Sequence, residues 1–308
     1  VTIRDVDIVD SANYAVLVEF SDHVEVRHAK ITGGWDAVHF RGWKDRWCHD
    51  LKIMNCQFFT GDDCIAGRYV EDLLVTDCVV NSSCNGMRII GPMRHMVVTD
   101  CTFYGPGIYP HRTQDRHNML AGIILQPGAW DESPGALEDV FISDISMRNV
   151  ASPVTIFFTR PGNSASDITV SRLTATGVYR AAASVESWTE TPVGRVVFRD
   201  VSIEYEGGGH EDAPEKAEEP GVGARPLPSW GFYARNVKEL RLEDVRLNAA
   251  EKDLRPVLMA RNVGRLELAG FRYPRLPTAA PPLDLRNIES TVRGRASAAE
   301  AGPDDDVK

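Results

Sequence analysis

A short pattern that recurs ten times along the chain constrains its fold more than any other feature. It reads apolar, x, apolar, x, polar, small apolar, x, apolar, as in VTIRDVDI at Val1 and LKIMNCQF at Leu51. Alternation with a period of two is typical of β-strands. The polar residue stands between two such stretches, which predicts a bend joining two short strands.

The spacing of the copies indicates one particular all-β architecture. Aligned on the small apolar residue, the copies follow one another at steps of 22 to 28 residues, apart from two steps of 44. We therefore predict an all-β, single-stranded, right-handed parallel β-helix of about ten coils, in which each coil buries its apolar side chains against the next. A β-sandwich has similar alternation but requires no fixed period. The aligned positions are Val6, Ala29, Cys56, Cys78, Cys101, Ile145, Leu173, Val201, Val245 and Phe271.

The same spacing predicts how the 308 residues are organised. The two long steps predict surface loops at about 104–136 and 205–232. Residues 1–295 form one β-helical domain in this prediction, and N-terminal coils are expected to be missing because the sequence begins inside a repeat. The small, acidic segment 296–308 is predicted to be disordered.

Charge and hydropathy exclude two classes of partner. The formal net charge is −10, whereas general nucleic-acid binding requires a basic surface. No apolar run approaches the ~18 residues of a membrane-spanning helix. We predict a monomer without a nucleic-acid or membrane partner.

Several recurring residues have a structural interpretation. Asp and Asn tolerate tight bends, so the acids and amides at the bend position are predicted turn residues. Cys56, Cys78 and Cys101 share one inward position and are predicted to pack as small apolar side chains. Cys64 and Cys84 are predicted free thiols, because their Cα atoms should lie roughly 8 Å apart. The bend residues are Asp5, Asn55, Asp77, Asp100, Asp144, Asp200 and Asp244.

Carboxylates recur at a second fixed position, seven residues after the small apolar one. Asp36, Asp63 and Asn85 occupy it in three consecutive coils, so they should stack along one edge about 4.8 Å apart. Asp62 precedes Asp63 and is expected to point to the other side of the chain. Carboxylates this close raise one another's pKa, which keeps one of them protonated near neutral pH. A proton donor beside a proton acceptor is what glycoside hydrolysis requires.

The stretches SANYAVLVEF, ITGGWDAVHF, FTGDDCIAG and SSCNGMRIIG resemble the polygalacturonases, glycoside hydrolase family 28. The family motif Gly-Asp-Asp-Cys is intact at 61–64. The resemblance implies a right-handed parallel β-helix, with Asp62 as general acid and with Asp63 and Asp36 activating water for inversion. It implies an extracellular or periplasmic enzyme that acts on a polysaccharide or oligosaccharide without cofactor or metal.

Three departures from the family pattern bear on the substrate. His39 replaces the second Asp of Asn-Thr-Asp-Gly-x-Asp, residues 84–86 replace Gly-His-Gly, and Ile124-Leu125-Gln126 replaces Arg-Ile-Lys. In the family the lost basic residues bind the substrate carboxylate. Plain polygalacturonate is therefore predicted to be a poor substrate, and a neutral or mixed plant-type glycan is favoured.

Strand parity after the turn predicts the lining of a groove. It places Val38, Phe40, Ile65, Met87 and Ile89 in the core, and Ala37, His39, Cys64, Ala66, Gly86 and Arg88 on the outside. The predicted substrate-binding residues are His39, Asn85, Arg88 and Gln126, with Arg88 able to replace the missing basic pair. The loop YGPGIYPHRTQDRHN and the tryptophans Trp35, Trp43, Trp47 and Trp130 are further candidates for sugar contacts.

Two other functions fit the same residues. A polysaccharide lyase could bind Ca²⁺ through Asp36, Asp62 and Asp63 and use Arg88 as base. A carbohydrate-binding β-helix without catalysis would explain the lost histidine and basic pair. Sensitivity to a chelator distinguishes the lyase, and glycan binding without turnover distinguishes the binding protein.

Overall fold

The computed structural model describes residues 1–209, 214–221, 223–274 and 281–294. These ranges contain β-strands and no helix, and therefore no helix that could cross a membrane. Each strand pairs in parallel with the strand one coil before it or after it. The chain is thus the predicted right-handed parallel β-helix.

Three faces run the length of the helix, and short strands define them in the first coils. Face 1 follows the turn that contains the carboxylates, and face 2 and face 3 flank the bend of the repeat. Face 1 contains β3 (Val16–Glu19), β6 (Val38–Arg41), β9 (Ile65–Arg68), β12 (Asn85–Ile89), β14 (Ala121–Leu125), β16 (Val154–Phe158) and β18 (Ala183–Ser187). Face 2 contains β1 (Thr2–Arg4), β4 (Val24–Arg27), β7 (Cys48–Met54) and β10 (Val70–Thr76). Face 3 contains β2 (Asp7–Val9), β5 (Lys30–Thr32), β8 (Gln57–Thr60) and β11 (Val79–Ser82).

Longer strands continue around the bends in the later coils. They are β13 (Met93–Tyr104), β15 (Gly135–Arg148), β17 (Asn163–Val178), β19 (Val193–Gly207), β20 (Phe232–Glu251), β21 (Leu258–Ala269) and β22 (Leu283–Arg293). The predicted loops separate β13 from β15 and β19 from β20, with β14 inside the first. The predicted disordered tail, 296–308, lies outside the described residues.

The register of the coils agrees with the predicted alignment. Ile145 pairs with Cys101 before it and with Leu173 after it, and Val201 pairs with Leu173 and Val245. Because register fixes which side chains stack, these apolar positions form continuous buried rows along the interior.

The bend residues adopt the backbone conformation for which Asp and Asn are suited. Asp77, Asp100 and Asp144 have φ values of 53°, 53° and 56°, in the left-handed region. Their short polar side chains tolerate this region better than most residues do. The seven acids and amides of this row are therefore turn residues, as predicted.

The cysteines are structural thiols. All six are free and buried. Cys56, Cys78 and Cys101 belong to the core cluster, and each thiol lies near the backbone oxygen two residues before it. The prediction of core packing and of free Cys64 and Cys84 is confirmed.

Candidate active site

A pocket of about 370 Å³ opens on face 1, across β6, β9 and β12 and the turns that precede these strands. Its walls combine carboxylates, arginines and aromatic rings, which is the composition of a site for a polar, ring-shaped ligand. The lining residues are Asn13, Tyr14, Trp35, Asp36, His39, Arg41, Asp62, Asp63, Ala66, Arg68, Arg88, Ile90 and Trp130.

Glycines allow the turns beneath the carboxylates to approach one another closely. A Cβ on Gly61 would lie 2.5 Å from the Pro110 carbonyl oxygen and 2.7 Å from that of Gly34. Gly34 itself has φ +69°, which favours glycine. The Gly-Asp-Asp-Cys turn therefore needs its glycine so that the preceding coil and a neighbouring loop can pack against it.

Asp36, Asp63 and Asn85 stack on successive coils, as predicted. The Ala37 amide donates to the Asp63 carbonyl at 3.2 Å, and the Cys64 amide donates to the Asn85 carbonyl at 3.1 Å. These bonds fix the three residues in one row, so the acidic side chains enter the pocket from a rigid backbone.

The Asp62 side chain was predicted to point to the other side of the chain, but it lines the same pocket as Asp36 and Asp63. One oxygen from each of the three carboxylates lies within 4.8 Å of the other two. Asp62 and Asp63 lie in a turn rather than a strand, where alternation of side chains does not hold.

Asp63 is held by the amide groups of Asn85. The Asn85 backbone N–H and side-chain Nδ2 donate to the same Asp63 oxygen at 3.1 and 2.7 Å, and Arg88 Nη1 lies 3.7 Å from the other oxygen. Burial raises the pKa of Asp63, while Arg88 opposes this shift and Asp62 adds to it. Asn85 is fully buried and contacts Asp63 rather than open groove.

Asp36 favours its protonated form more clearly. Burial raises its pKa well above the ordinary value, and the charges of Asp63 and Asp62 raise it further. The Asp62 side chain is the most accessible of the three, at 20% exposed, whereas Asp36 and Asp63 are buried. Three adjoining carboxyl groups that cannot all ionise together supply both a proton donor and a proton acceptor.

His39 and Arg88 line the pocket on the outer side of the strands, as strand parity predicted, but both side chains are buried. His39 Nδ1 lies 2.7 Å from Asp36 Oδ2, and its ring stacks on Tyr14 with centroids 4.2 Å apart. Arg88 Nε donates to Gln126 Oε1 at 2.5 Å, and its guanidinium lies over the Trp130 ring. Of the two predicted residues, Arg88 thus lines the pocket, and Gln126 contacts Arg88 without lining it.

The parity prediction holds for His39, Ala66 and Arg88, which line the pocket, and fails for Ala37, Cys64 and Gly86. A Cβ on Gly86 would lie 2.4 Å from the Phe103 side chain and 2.5 Å from that of Met119, both in the core. Ala37 and Cys64 were predicted to face outward, but both are completely buried in the core. The Cys64 thiol lies 3.3 Å from the Asn81 carbonyl oxygen and 3.2 Å from Thr60 Oγ1. Each residue directly follows a carboxylate of the tight turn, where the side-chain period of two has not yet begun.

The loop between β13 and β14, which the sequence indicated as a candidate for sugar contacts, brings His111 to the site. His111 Nε2 lies 3.9 Å from Asp62 Oδ2, and its ring meets the edge of Trp35 with centroids 6.2 Å apart. The Thr113 amide donates to His111 Nδ1 at 3.4 Å, so the proton of the neutral ring is on Nε2. The Nε2–H of His111 therefore faces Asp62.

Two arginines and a tyrosine were missed. Arg41 donates to the Tyr14 hydroxyl at 2.9 Å, and Arg68 forms an ion pair of 2.8 Å with Asp131. Arg41 and Arg68 are register partners, two residues beyond His39 and Ala66 on neighbouring strands. Extending the same parity by two residues would have identified both.

Among the residues that the structure describes, two groups of side chains could hold a cation. Asp36, Asp62 and Asp63 are one, and Asp62, Cys84 and His111 are the other. Burial raises the pKa of the Cys84 thiol, with further increases from Asp63 and Asp62, which disfavours the thiolate that a metal needs. The carboxylate group is the better candidate, with the oxygen ligands that Ca²⁺ prefers.

Comparison with known proteins bears on the fold. No family model matches the sequence, and no curated protein matches it. Among solved structures, a family 28 exopolygalacturonase from Yersinia enterocolitica matches with a TM-score of 0.55 and 9% identity, over 90% of this chain and 46% of that one. The tailspike protein of Escherichia coli bacteriophage HK620, solved in complex with a pentasaccharide, matches with a TM-score of 0.51 and 10% identity, over 89% and 48%.

These matches confirm the predicted resemblance at the level of the fold. The chain spans about half the length of each of the two solved structures. At such low identity the likeness extends to the parallel β-helix and not to individual side chains.

Proposed function

We propose that the chain is a glycoside hydrolase that cleaves a polysaccharide, with Asp62 as general acid and Asp36 and Asp63 activating water. The observation that carries this proposal is the meeting of three carboxylates in one pocket on face 1, with oxygens within 4.8 Å of one another. Glycosidic bonds are cleaved by such a paired donor and acceptor of protons. Fold-level likeness to a family 28 exopolygalacturonase and to a glycan-bound tailspike supports a carbohydrate ligand.

Accessibility supports the division of roles. Asp62 is the most exposed carboxylate, so it is best able to reach the oxygen of a leaving sugar. Asp36 and Asp63 are buried, which suits them to hold a small water molecule rather than to attack a sugar carbon themselves. Attack by water on the face opposite the leaving group inverts the configuration.

The remaining predicted residues have supporting roles in this proposal. His39, Arg88 and Gln126 bind the substrate, together with Trp35 and Trp130 as faces for stacking on sugar rings. Asn85 positions Asp63, because its amide is already bonded to that carboxylate. We further propose that the protein acts as a monomer on extracellular or periplasmic glycans, without a cofactor.

A panel of polysaccharides, scored for new reducing ends and for unsaturated products, tests the proposal. Hydrolysis that persists in a chelator and yields only saturated reducing ends is expected. Unsaturated products that require Ca²⁺ would instead identify a lyase that uses Asp36, Asp62 and Asp63 as its metal ligands. Binding of a glycan with no turnover would identify a non-catalytic carbohydrate-binding protein.

The stereochemistry of the first product tests the proposed mechanism separately. Proton NMR during the first minutes of the reaction should show the anomer opposite to that of the bond cleaved. Retention of configuration would mean that Asp36 or Asp63 acts as a nucleophile, as the short oxygen separation would then suggest.

A further inference from the structure

The Asp36–His39 pair is built to fix the orientation of the imidazole ring. His39 Nδ1 lies 2.7 Å from Asp36 Oδ2, and both side chains are more than nine-tenths buried. Tyr14 stacks on the ring at an interplanar angle of 23°, and Arg41 holds the Tyr14 hydroxyl at 2.9 Å. The ring is thus constrained both at its edge and over its face.

The other nitrogen of His39 lacks a partner. Nε2 is buried and makes no hydrogen bond with any residue in the described part of the chain. A buried polar atom without a partner costs free energy, and such an atom at a pocket usually has a functional explanation. Because the His39 ring lines the pocket together with Asp62 and Asp63, a group of the substrate or a water molecule is the natural partner.

The protonation of the pair follows from its hydrogen bond. Burial, together with the nearby charges of Arg41 and Arg68, lowers the pKa of His39 to about 3, so the ring is neutral above that pH. When Asp36 is ionised, His39 Nδ1 donates its proton to Asp36, and Nε2 has a free lone pair. When Asp36 is protonated, it donates to Nδ1, and the ring proton lies on Nε2. Adding one proton at Nε2 can therefore protonate Asp36.

We propose that His39 Nε2 takes the proton of the attacking water and that Nδ1 passes its own proton to Asp36. This inference rests on the proposed glycoside hydrolase function. In the step, the water oxygen bonds to the anomeric carbon as the bond from that carbon to the leaving oxygen breaks. The reactive form of the carboxyl cluster has its proton on Asp62 and an ionised Asp36. The leaving oxygen receives the proton of Asp62, so Asp62 ends ionised and Asp36 ends protonated. An aspartate that orients a histidine base is known from other hydrolases, where the aspartate stays ionised; the transfer to Asp36 proposed here goes beyond that arrangement.

A second histidine–aspartate pair shows which features of the Asp36–His39 pair are unusual. His23 Nδ1 lies 2.8 Å from Asp50 Oδ2, nearly the same distance as in the Asp36–His39 pair. Its side chain is 80% exposed, however, and does not line the site pocket. The distance alone is therefore ordinary, and the relay depends on burial, on the free Nε2 and on the neighbouring carboxylates.

Chemical rescue tests the relay in the full chain, on the glycan that the wild-type protein hydrolyses. His39→Ala and His39→Gln should each lower kcat by ~10²–10⁴-fold, as expected when a general base is lost. Added imidazole should restore activity to His39→Ala, which leaves space for it, and not to His39→Gln. The restored rate should rise with the basicity of substituted imidazoles. His23→Gln is the matched control and should retain wild-type activity.

The outcomes separate this inference from the function on which it rests. If the wild-type protein hydrolyses no glycan, both proposals fail. If it does, a His39→Gln variant with kcat within threefold of wild type overturns the relay alone. Loss of activity in His39→Ala that no imidazole restores also overturns it, since His39 would then only position Asp36. If His39→Ala lacks the wild-type circular dichroism spectrum, His39→Ser replaces it in the rescue.

Discussion

Each of the three pocket carboxylates is expected to be essential for turnover. Asp36→Asn, Asp62→Asn and Asp63→Asn should each reduce kcat by ~10²–10⁴-fold, because a positioned acid or base is lost while the side-chain volume is kept. Rates on the best glycan of the panel, with circular dichroism to check folding, measure this. Asp7→Asn, an exposed aspartate on face 3, is the control. Near-wild-type turnover in one variant would remove that residue from the mechanism.

Burial of the Asp36 carboxyl should also lower the free energy of unfolding at pH values above its unfolded pKa. Its pKa is raised by burial, so the folded protein loses stability as pH rises from the unfolded value of 3.8 through the folded pKa. A carboxamide cannot ionise, so Asp36→Asn should unfold with a larger free energy than wild type at pH 8. Each unit of pKa shift corresponds to about 1.4 kcal/mol.

Urea denaturation of Asp36→Asn and wild type at pH 3 and pH 8 measures this gain. The gain should be absent at pH 3, where Asp36 is protonated in both folded and unfolded wild type. An equal gain at both pH values would show that it comes from packing or hydrogen bonding instead.

Residue placement could be predicted where the repeat determines it. The stack of Asp36, Asp63 and Asn85 followed from counting within each coil. The approach of His111 to Asp62 joins residues 49 positions apart through an irregular loop, for which the repeat gives no register. The inward turn of Cys64 was missed because alternation describes strands and not turns.

A buried ion pair helps to anchor the described part of the segment between β19 and β20 to face 1. Arg225 Nη1 and Nη2 donate to the two oxygens of Glu186 at 3.0 and 2.6 Å, and the Glu186 side chain is fully buried. Trp188 Nε1 donates to Glu186 as well, at 2.9 Å. The arrangement satisfies a charge that would otherwise be costly to bury.

Arg225→Ala should lower the free energy of unfolding by about 3 kcal/mol or more, because it leaves Glu186 buried without its cation. Arg195→Ala is the matched control. Arg195 pairs with Asp167 at 3.0 Å, but the two side chains are 49% and 44% exposed. Its loss should cost at most about 1 kcal/mol. If urea denaturation shows equal losses for Arg225→Ala and Arg195→Ala, water must hydrate the Glu186 carboxylate once Arg225 is removed.

Strands with buried apolar side chains could be predicted from the sequence, and a strand with exposed side chains could not. All ten copies of the repeat form strands in the expected register, including the weak copy in β21. β22 adds one further strand to the stack, and the pattern did not reveal it. Most of its side chains are exposed or only half-buried, because no described strand covers its outer edge. A terminal strand therefore lacks the apolar alternation by which the others were recognised.

At the scale of the whole molecule, charge limits which glycans can bind. The chain has a net charge of −10, which repels a polyanion at long range. Within the pocket, each of the three arginines already lies near an acidic side chain. Arg88 lies 3.7 Å from Asp63, Arg68 lies 2.8 Å from Asp131, and Arg41 lies 4.0 Å from Glu19.

Polygalacturonate is therefore expected to be a poorer substrate than neutral glycans or branched pectin fragments. Ile124 and Leu125, at the family's carboxylate clamp, are buried and apolar, and Gln126 is bonded to Arg88. A charge-assisted hydrogen bond contributes roughly 1.5–3 kcal/mol, so the lost clamp should lower kcat/KM on polygalacturonate by more than tenfold. The ratio of kcat/KM on polygalacturonate to that on the neutral glycan measures this preference.

Ionic strength provides a control for the origin of that preference. If long-range repulsion contributes, the ratio should rise between 0.01 and 0.15 M salt, as the screening length falls from about 30 to about 8 Å. A ratio that strongly favours polygalacturonate at both salt concentrations would contradict the prediction. Arg88, at the wall beside Gln126, would then be the residue that replaces the clamp, and Arg88→Ala should abolish activity on polygalacturonate while sparing the neutral glycan.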